Sequence, residues 1–536
     1  MAPSPLPPPL RIDARRARIP CFEPATRASL GTVAVDPPEA VRAAVAAARE
    51  AQRHWRHTSF RTRRAVLRAL VDDILDDADA ICDDLCRDSG KTRENAMMGE
   101  VWPVCERLRW TSRHGERHLL PEPVSSGLLQ HKRARIEYHP RGVVGAVLPW
   151  NYPLQNLMNP IGPALMSGNA CVVKPSEAVA WSSARIVARV QDVLERCGQP
   201  RALVQAVQGY AETGRALIEG GIDALLFIGS VDNGRRVLQA AAEHLVPVVL
   251  ELGGKDPLIV CDDADLSQAV HAALGGTFIH CGQNCVASER VLVHESVAAE
   301  LERRVAEVAR ALRQGDSRAG AVVDVGAMTT PAQLERVERL VERAVAQGAR
   351  LVCGGGRVLA ERGDFFAPTV LADVTPDMDI MQEEVFGPVM LLCPVRDDAH
   401  AIAVANGTPF GLGASVFSRD HARANRVAAQ LDAGMCAIND FGGMTYMVPD
   451  LPFGGVKASG FGRMGGRDGL RAYCYAKAVL DDRWPLRLPS KLFPVGPADY
   501  ATMRGALRAL YGSGGRRKVR GIGETIEAML GAWRGR

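Results

Sequence analysis

Between residues 136 and 420, the chain alternates short apolar runs with stretches of helical periodicity. Buried strands that alternate with helices predict a parallel α/β sheet. Ligands of such sheets bind at the carboxyl ends of the strands, so the residues after each run are the candidates for a functional site. The runs in the first half are Val143–Leu148, Ala170–Val173, Leu225–Ile228 and Pro247–Leu250, separated by helical stretches at Trp181–Arg196 and Asn233–His244.

The same alternation resumes beyond Cys285 and predicts a second α/β domain. Pro38–Trp55 is predicted to be a helix near the N-terminus, because Val41, Val45 and Ala48 recur on one face. The predicted elements of the second domain are strands at Arg290–Val293, Met390–Leu392 and Ala414–Phe417, and helices at Ala298–Arg313 and Pro331–Gln347.

Composition excludes several classes of protein. The 536 residues suggest two or three domains, and a net charge of +4 gives no case for nucleic-acid binding. The 13 cysteines are irregularly spaced and form no CxxC pair with zinc spacing, so free thiols and no metal are expected. The N-terminus lacks the long apolar core of a signal peptide, and no run reaches the roughly 18 apolar residues of a membrane helix. A cytoplasmic protein is therefore predicted.

Polar side chains follow the first two runs. Asn151 lies in the proline-bounded loop 149–153, and Lys174, Ser176 and Glu177 follow the next run. A packed turn, and a helix start capped by Ser176, explain these residues without any function. As functional groups, Asn151 can donate to a developing oxyanion, while Lys174 and Glu177 can bond ribose hydroxyls. A carboxylate at residue 177 would repel a ribose phosphate, which favours NAD over NADP.

The next two runs lead into Gly229-Ser230 and Glu251. Ser230 precedes a helix whose N-terminus suits a phosphate, although such strand–turn junctions are common. Glu251 opens Glu-Leu-Gly-Gly-Lys, and Cys285 closes Gly-Gln-Asn-Cys 34 residues later. The two can be a general base and a nucleophile. They can equally be a structural carboxylate and a buried thiol, or Cys285 can form a redox pair with Cys281.

Two later segments complete the set. Glu384 and Phe386 belong to Glu-Val-Phe-Gly-Pro, and residues 451–463 are dense in glycine. Each segment alone is compatible with a plain turn or surface loop. Their order after the earlier motifs indicates a shared function.

In this order and spacing, the motifs resemble those of the NAD(P)-dependent aldehyde dehydrogenase superfamily over roughly residues 20–490. The resemblance implies an α/β fold with a Rossmann-type cofactor domain, an α/β catalytic domain and a small β arm that builds homodimers or homotetramers. The implied boundaries are 19–127 with 142–252 for the cofactor domain, 253–452 for the catalytic domain, and 128–141 with 471–490 for the oligomerisation arm.

The resemblance also implies how an aldehyde is oxidised to a carboxylic acid with NAD. Cys285 matches the nucleophile, which forms a thiohemiacetal and then a thioester. Asn151 and the backbone N–H of Cys285 match the oxyanion hole, and Glu251 matches the base that activates the hydrolytic water. The residues that match cofactor contacts are Trp150, Lys174, Ser176, Glu177, Gly229, Ser230, Glu384 and Phe386.

The chain departs from the family pattern at two places. A Lys and a Glu that relay a proton away from the base in many relatives are replaced by Pro160 and Met464. Proton exit is therefore expected through water or another route. At the mouth of the substrate tunnel the chain has Asn156 and Asn159, which predicts a polar entrance.

Three other functions compete with aldehyde oxidation to the acid. A CoA-acylating enzyme uses the same fold, but that branch typically lacks the base at Glu251. A catalytically silent binding protein is disfavoured because Cys285, Glu251 and Asn151 are all present. A thiol-redox protein that uses Cys281 leaves the cofactor motifs unexplained.

The two ends of the chain fall outside the resemblance. Residues 1–18 are rich in Pro and Arg and are predicted to be disordered. Residues 491–536 form a basic extension, for which a solvated or domain-covering role is favoured. Arg516–Arg520 with neighbouring apolar residues would suit an anionic membrane, but four glycines between residues 514 and 523 disfavour the helix that this requires.

Overall fold

The computed structural model describes residues 17–358, 363–484 and 493–534. Residues 1–16, most of the segment predicted to be disordered, lie outside the described residues, and a strand begins at Arg18. Two compact units form: residues up to 121 with 137–477, and residues 122–136 with those from 478 onwards.

The first unit contains a six-stranded sheet in the order β17–β9–β8–β5–β6–β7, parallel except for β17. The strand order reverses between β5 and β8, which creates a crevice at their carboxyl ends. Each strand predicted in the first half of the chain is confirmed. The bounds are β5 Val143–Val147, β6 Ala170–Lys174, β7 Val204–Ala206, β8 Ala224–Gly229, β9 Val248–Leu252 and β17 Gly460–Phe461.

Strand β9 is longer than the apolar run that predicted it. Glu251 lies inside the strand rather than after it, because Gly460 of β17 pairs with Glu251 along the edge of the sheet. The sequence gives no sign of this pairing, since β17 lies more than 200 residues further along the chain.

A seven-stranded sheet in the same unit follows the order β12–β13–β14–β11–β10–β15–β16, and only β12 is antiparallel. The strands predicted beyond Cys285 are thus confirmed, and they lie in the same compact unit as the first sheet. Its strands are β10 Pro257–Val260, β11 Arg290–His294, β12 Arg350–Cys353, β13 Thr369–Ala372, β14 Val389–Val395, β15 Ser415–Phe417 and β16 Ala437–Ile438. A separate hairpin joins β1 Arg18–Phe22 to β2 Ser29–Ala34.

Helices cover the sheets, and their apolar faces form two hydrophobic cores, one for each sheet. The helix predicted at Pro38–Trp55 is confirmed, and it buries Val41, Val45 and Ala48 as its period requires. The helices of the first unit are α1 Pro38–Trp55, α2 Phe60–Asp76, α3 Ala78–Ser89, α4 Arg93–Ala96, α5 Trp102–Leu119, α6 Pro153–Ser167, α7 Ala180–Arg196, α8 Ala211–Glu219, α9 Val231–Glu243, α10 Leu266–Phe278, α11 Glu295–Ala311, α12 Pro331–Ala346, α13 Asp379–Gln382, α14 Asp398–Asn406, α15 His421–Ala428 and α16 Gly466–Ala472.

The second unit is built on a three-stranded sheet in the order β18–β4–β3. Its strands are β3 Glu122–Val124, β4 Lys132–Pro140 and β18 Cys474–Asp482, so the hairpin expected at residues 128–141 begins earlier, at Glu122. Residues 485–492 lie outside the described residues.

The second unit also contains two helices, α17 Asp499–Tyr511 and α18 Gly515–Arg534. The expectation that glycines would prevent a helix here is wrong. Gly505 and Gly521 lie where the two helices touch, and this close packing offsets the roughly 1 kcal/mol that each glycine costs. Within the described residues no helix combines the length and the apolarity needed to cross a bilayer.

Candidate active site

A cleft of about 780 Å³ opens at the carboxyl ends of β5, β6 and β8, at the point where the strand order reverses. This volume suits a dinucleotide-sized ligand. Six of the residues predicted to contact a cofactor line the cleft, namely Trp150, Lys174, Ser176, Glu177, Gly229 and Ser230.

Helix α9 begins at the cleft and is capped by Ser230, whose hydroxyl accepts a hydrogen bond from the N–H of Asn233 at 3.4 Å. Helix N-termini stabilise phosphate, so this position fits the pyrophosphate of a dinucleotide. On the facing strand, the Lys174 ammonium lies 3.5 Å from the Glu177 carboxylate. Burial lowers the pKa of Lys174, while the Glu177 charge opposes that shift.

Glu384 and Phe386 do not line this cleft themselves. The Glu384 carboxylate accepts a hydrogen bond from the N–H of Gly254 at 3.0 Å, and burial raises the pKa of Glu384 to about 8. Phe386 meets Trp150 edge-on, with ring centroids 5.4 Å apart. These two residues therefore connect the cleft to the loop after β9.

Glycines bring the Glu-Leu-Gly-Gly-Lys and Gly-Gln-Asn-Cys motifs into contact. A side chain at Gly254 would come within 2.5 Å of the Cys285 carbonyl oxygen. Gly282 has φ +69°, and a side chain there would lie 2.0 Å from the Gly387 carbonyl oxygen. Only glycine permits both approaches.

The Cys285 thiol is half-buried and interacts with the Glu251 carboxyl group. Burial raises the pKa of Glu251 to about 7, although the hydrogen bond with Cys285 opposes the shift. Burial also raises the pKa of the Cys285 thiol well above its usual range, and the Glu251 charge adds to this. The second carboxyl oxygen of Glu251, Oε1, is buried and has no hydrogen-bond partner among the described residues. It is therefore an unused hydrogen-bond acceptor.

Asn151 lies beside the cysteine loop, where its Nδ2 donates to the Gln283 carbonyl oxygen at 3.2 Å. Its Oδ1 accepts a hydrogen bond from Asn156 Nδ2, also at 3.2 Å, so the amide donor faces the cysteine loop. In the described part of the chain, the backbone N–H of Cys285 makes no hydrogen bond. Two N–H donors are thus available near the thiol.

A buried ion pair that the sequence analysis missed anchors this loop. The Lys91 ammonium bonds to the Glu100 carboxylate and donates to the Asn151 carbonyl oxygen at 2.9 Å. Glu100 in turn accepts hydrogen bonds from the N–H groups of Leu154 and Gln155 at the start of α6. No local motif marks Lys91 or Glu100, because their function depends on contacts made about 60 residues further along the chain.

The structure separates the two asparagines predicted at the tunnel mouth. Asn156 is only 5% exposed and donates a hydrogen bond to Asn151, and its role at the entrance stays a prediction. Asn159 lines a cavity together with Arg107, and its Oδ1 accepts a hydrogen bond from the Tyr446 hydroxyl at 2.5 Å. The Arg107 guanidinium stacks 3.6 Å from the centre of the Tyr446 ring and has no carboxylate partner among the described residues. Most of the lining of this cavity is apolar, and Asn159 and Arg107 add a polar group and a positive charge to it.

Pro160 and Met464 are both buried, so the positions of the family's proton relay are apolar. Cys281 is fully buried, and burial strongly raises the pKa of its thiol. All 13 cysteines are unpaired. The redox hypothesis gains no support from this geometry, because a fully buried thiol does not reach an external partner.

The chain matches the model of the aldehyde dehydrogenase family over residues 12–479. An aldehyde dehydrogenase-like protein of Schizosaccharomyces pombe is 37% identical over 509 residues, which span 92% of this chain and 96% of the relative. The succinate-semialdehyde dehydrogenase [NADP(+)] of Mycobacterium avium is 36% identical over 460 residues, 85% of this chain and 95% of that protein.

Among solved structures, an aldehyde dehydrogenase of Mycobacterium tuberculosis complexed with NAD⁺ superposes with a TM-score of 0.81 at 33% identity, covering 86% of this chain and 94% of that one. The chain belongs to the aldehyde dehydrogenase family. It is thus an oxidoreductase with the α/β fold of that family, and the predictions of family, fold class and enzymatic character are confirmed.

Proposed function

We propose that the protein oxidises an aldehyde to a carboxylic acid with NAD through a thioester on Cys285. The observation that carries the proposal is the close packing of the Glu-Leu-Gly-Gly-Lys and Gly-Gln-Asn-Cys motifs at Gly254, which brings Glu251 and Cys285 close enough for each to shift the pKa of the other. One Glu251 oxygen has no hydrogen-bond partner among the described residues. A carboxyl group with a pKa of about 7 can exchange protons near neutral pH.

In the first step, the Cys285 sulfur attacks the aldehyde carbon, and the thiol proton passes to Glu251. The carbonyl oxygen becomes an oxyanion, which accepts hydrogen bonds from Asn151 Nδ2 and the Cys285 N–H. The loss of one such donor typically costs roughly 3–4 kcal/mol of barrier. Bound NAD supplies the hydride acceptor that converts the thiohemiacetal to a thioester.

Glu251 then releases the thiol proton to solvent. In the second step, the Glu251 carboxylate accepts a proton from water, and the resulting hydroxide attacks the thioester carbon. The C–S bond breaks, the acid leaves, and Cys285 regains its proton. A CoA-acylating enzyme needs no such base, so the unpartnered oxygen of Glu251 favours hydrolysis. A catalytically silent binding protein would not require the Cys285 thiol and the Glu251 carboxyl group to lie close together.

The residues that would hold the cofactor fit a dinucleotide. Ser230, Gly229 and the start of α9 face its phosphates, and Lys174 and Glu177 face the adenosine ribose. Ser176 lines the same cleft, Trp150 and Phe386 pack near the nicotinamide, and Glu384 would bond the second ribose. We assign residues 19–127 with 142–252 to cofactor binding and 253–452 to catalysis. Homodimers or homotetramers would form through 128–141 and 471–490, and the enzyme would act in the cytoplasm.

The direct test is to mix the purified protein with NAD or NADP and each member of a panel of aldehydes, and to measure the absorbance of the reduced cofactor. NADH formation would support the proposal, and the ranking of the panel would define the pocket. NAD binding without turnover would contradict it. Turnover that appears only after CoA is added would identify the acylating reaction instead.

Replacing Glu177 by Gln is expected to raise the use of NADP relative to NAD by roughly 5–10-fold, because a repulsion of about 1 kcal/mol between like charges is removed. The kcat/KM values for both cofactors measure the effect. Glu219→Gln, an exposed carboxylate of α8 outside the cleft, serves as the control. Equal cofactor preference in the wild type and Glu177→Gln would show that Glu177 does not face the ribose.

Replacing Asn159 by Trp is expected to shift preference from short polar aldehydes towards long-chain aldehydes by roughly tenfold or more, because the indole removes a polar group from the cavity beside Arg107 and adds apolar surface. The measurement is kcat/KM across a chain-length series. Asn159→Ser keeps the polarity and should retain the wild-type ranking. An unchanged ranking in Asn159→Trp would mean that substrates do not pass this residue.

A further inference from the structure

The C-terminal helices α17 and α18 pack against each other through their smallest residues. A side chain at Gly505 would lie 2.5 Å from the Thr525 hydroxyl, and one at Gly521 would lie 2.3 Å from the Ala509 nitrogen. Arg508 also pairs with Glu524, so the helices run antiparallel as a hairpin. Almost no large apolar side chain is used to hold this hairpin together.

The large apolar residues instead point outward. On α18 they recur with a helical period and fall within an arc of about 100°, and on α17 they do the same. Their exposure is high, at 79% for Trp533 and 72% for Tyr500. The exposed residues are Tyr500, Met503, Leu507, Leu510 and Tyr511 on α17, and Val519, Ile522, Ile526, Met529, Leu530 and Trp533 on α18.

Both apolar stripes face away from the contact between the two helices. At 100° per residue, the centre of the α17 stripe lies about 170° from Gly505 and Ala509, and the centre of the α18 stripe lies about 110° from Gly521 and Thr525. By the same period, Arg508, Arg520 and Glu527 fall about 60° or more outside the stripes, whereas Arg504 borders the α17 stripe beside Tyr511. Each helix therefore carries an exposed apolar surface, with charged residues outside it.

Basic residues cluster where α18 begins. Arg516, Arg517, Lys518 and Arg520 are all exposed. Positive charges at a helix N-terminus oppose the helix dipole. Arg520 pairs with Glu524 one turn further on, but Arg516, Arg517 and Lys518 have no carboxylate partner among the described residues and do not serve helix stability. Between residues 499 and 533 there are six Lys and Arg against three Asp and Glu. The segment also lies beyond residue 479, where the match to the family ends.

We propose that this hairpin attaches the protein to an anionic lipid bilayer and lies in the plane of the membrane interface. Small residues between helices and large apolar residues around them are the arrangement that helices adopt in lipid. The apolar surfaces would enter the region between headgroups and acyl chains, and the cluster at 516–520 would contact lipid phosphates. Within the described residues no helix can span the bilayer, so the hairpin lies on it.

The test is co-sedimentation of the full chain with phosphatidylcholine vesicles that contain or lack phosphatidylserine. We expect binding to the anionic vesicles, weakened by salt. Ile526→Ser should lower the partition coefficient by roughly tenfold, because one large apolar side chain no longer enters the lipid. Glu527→Ser, the neighbouring residue outside the apolar surface, is the matched control and should bind at least as well as wild type. Arg516→Gln combined with Arg520→Gln should lower binding to anionic vesicles alone, by roughly tenfold or more.

Three outcomes would overturn the proposal. These are no binding to vesicles with or without phosphatidylserine, binding that Ile526→Ser leaves unchanged, and binding that is equally strong in the absence of phosphatidylserine. If Ile526→Ser instead dissociates an oligomer and no vesicle binding occurs, the apolar surface contacts a second copy of the chain. Unfolding temperature and helical circular dichroism establish that each variant is folded, and neither depends on the proposed enzymatic activity.

Discussion

Cys285→Ala is expected to abolish the aldehyde-dependent formation of NADH, with a loss on the order of 10⁴-fold or more. The reason is chemical: without the sulfur no thiohemiacetal forms, and no hydride leaves the aldehyde carbon. The variant should still bind NAD, because the cleft at the switch point lies outside the cysteine loop. Absorbance of reduced cofactor measures the first property, and quenching of protein fluorescence by NAD measures the second.

The matched control is Cys281→Ala, which removes a thiol from the same loop. That thiol is fully buried, so the substitution should leave NADH formation within a few-fold of the wild type. Substantial activity in Cys285→Ala would refute a covalent mechanism at this residue. Activity lost equally in both variants would point to the thiol-redox hypothesis or to a collapse of the loop.

Glu251→Gln is expected to lower steady-state turnover by roughly 10²–10⁴-fold, because an amide cannot take the proton of the hydrolytic water. The rate of thioester formation should fall less, so rapid mixing should reveal a burst of about one NADH per active site before the slow phase.

The raised pKa of Glu251, about 7, sets the pH dependence of turnover. Only the deprotonated carboxylate acts as a base, so wild-type kcat should fall as the pH drops below about 7, and this limb should vanish in the variant.

Hydroxylamine provides the decisive control for Glu251. It attacks a thioester without assistance from a base, so it should restore turnover in Glu251→Gln and leave Cys285→Ala inactive. If Glu251→Gln shows no burst and no rescue, then Glu251 is needed before the thioester forms. Its role would then be to accept the proton of the Cys285 thiol.

The sequence predicted the layers of the fold well, because their signals are local. The apolar runs at Val143–Leu148 and Arg290–Val293 are buried strands, and the period of Val41, Val45 and Ala48 is that of α1. The residues after the strands could be identified as site candidates because all parallel strands end at the same edge.

The support of the site could not be predicted from the sequence, because it depends on contacts between distant segments. Lys91 and Glu100 hold the Asn151 loop from α3–α5, and nothing around them in the sequence differs from an ordinary surface ion pair. The hydrogen bond of Asn156 to Asn151 could not be predicted, because helical spacing alone does not tell which face of α6 meets Asn151. The C-terminal helices were not predicted, because intrinsic helix propensity treats each glycine as destabilising to a helix. Propensity does not include the contact between the two helices, which Gly505 and Gly521 make possible.

The hydrogen bond from Asn151 to Gln283 joins a loop of the first sheet to the loop that carries the nucleophile. The cleft proposed for the cofactor, in contrast, is lined by residues 147–243, although the proposed contacts Glu384 and Phe386 lie outside it. Most residues proposed to recognise a dinucleotide therefore lie on a different segment of the chain from Cys285, the proposed nucleophile. Substitutions that disorder the loop around Cys285 would then abolish turnover and leave nucleotide binding intact. By this route, a few substitutions could convert such an enzyme into a nucleotide sensor.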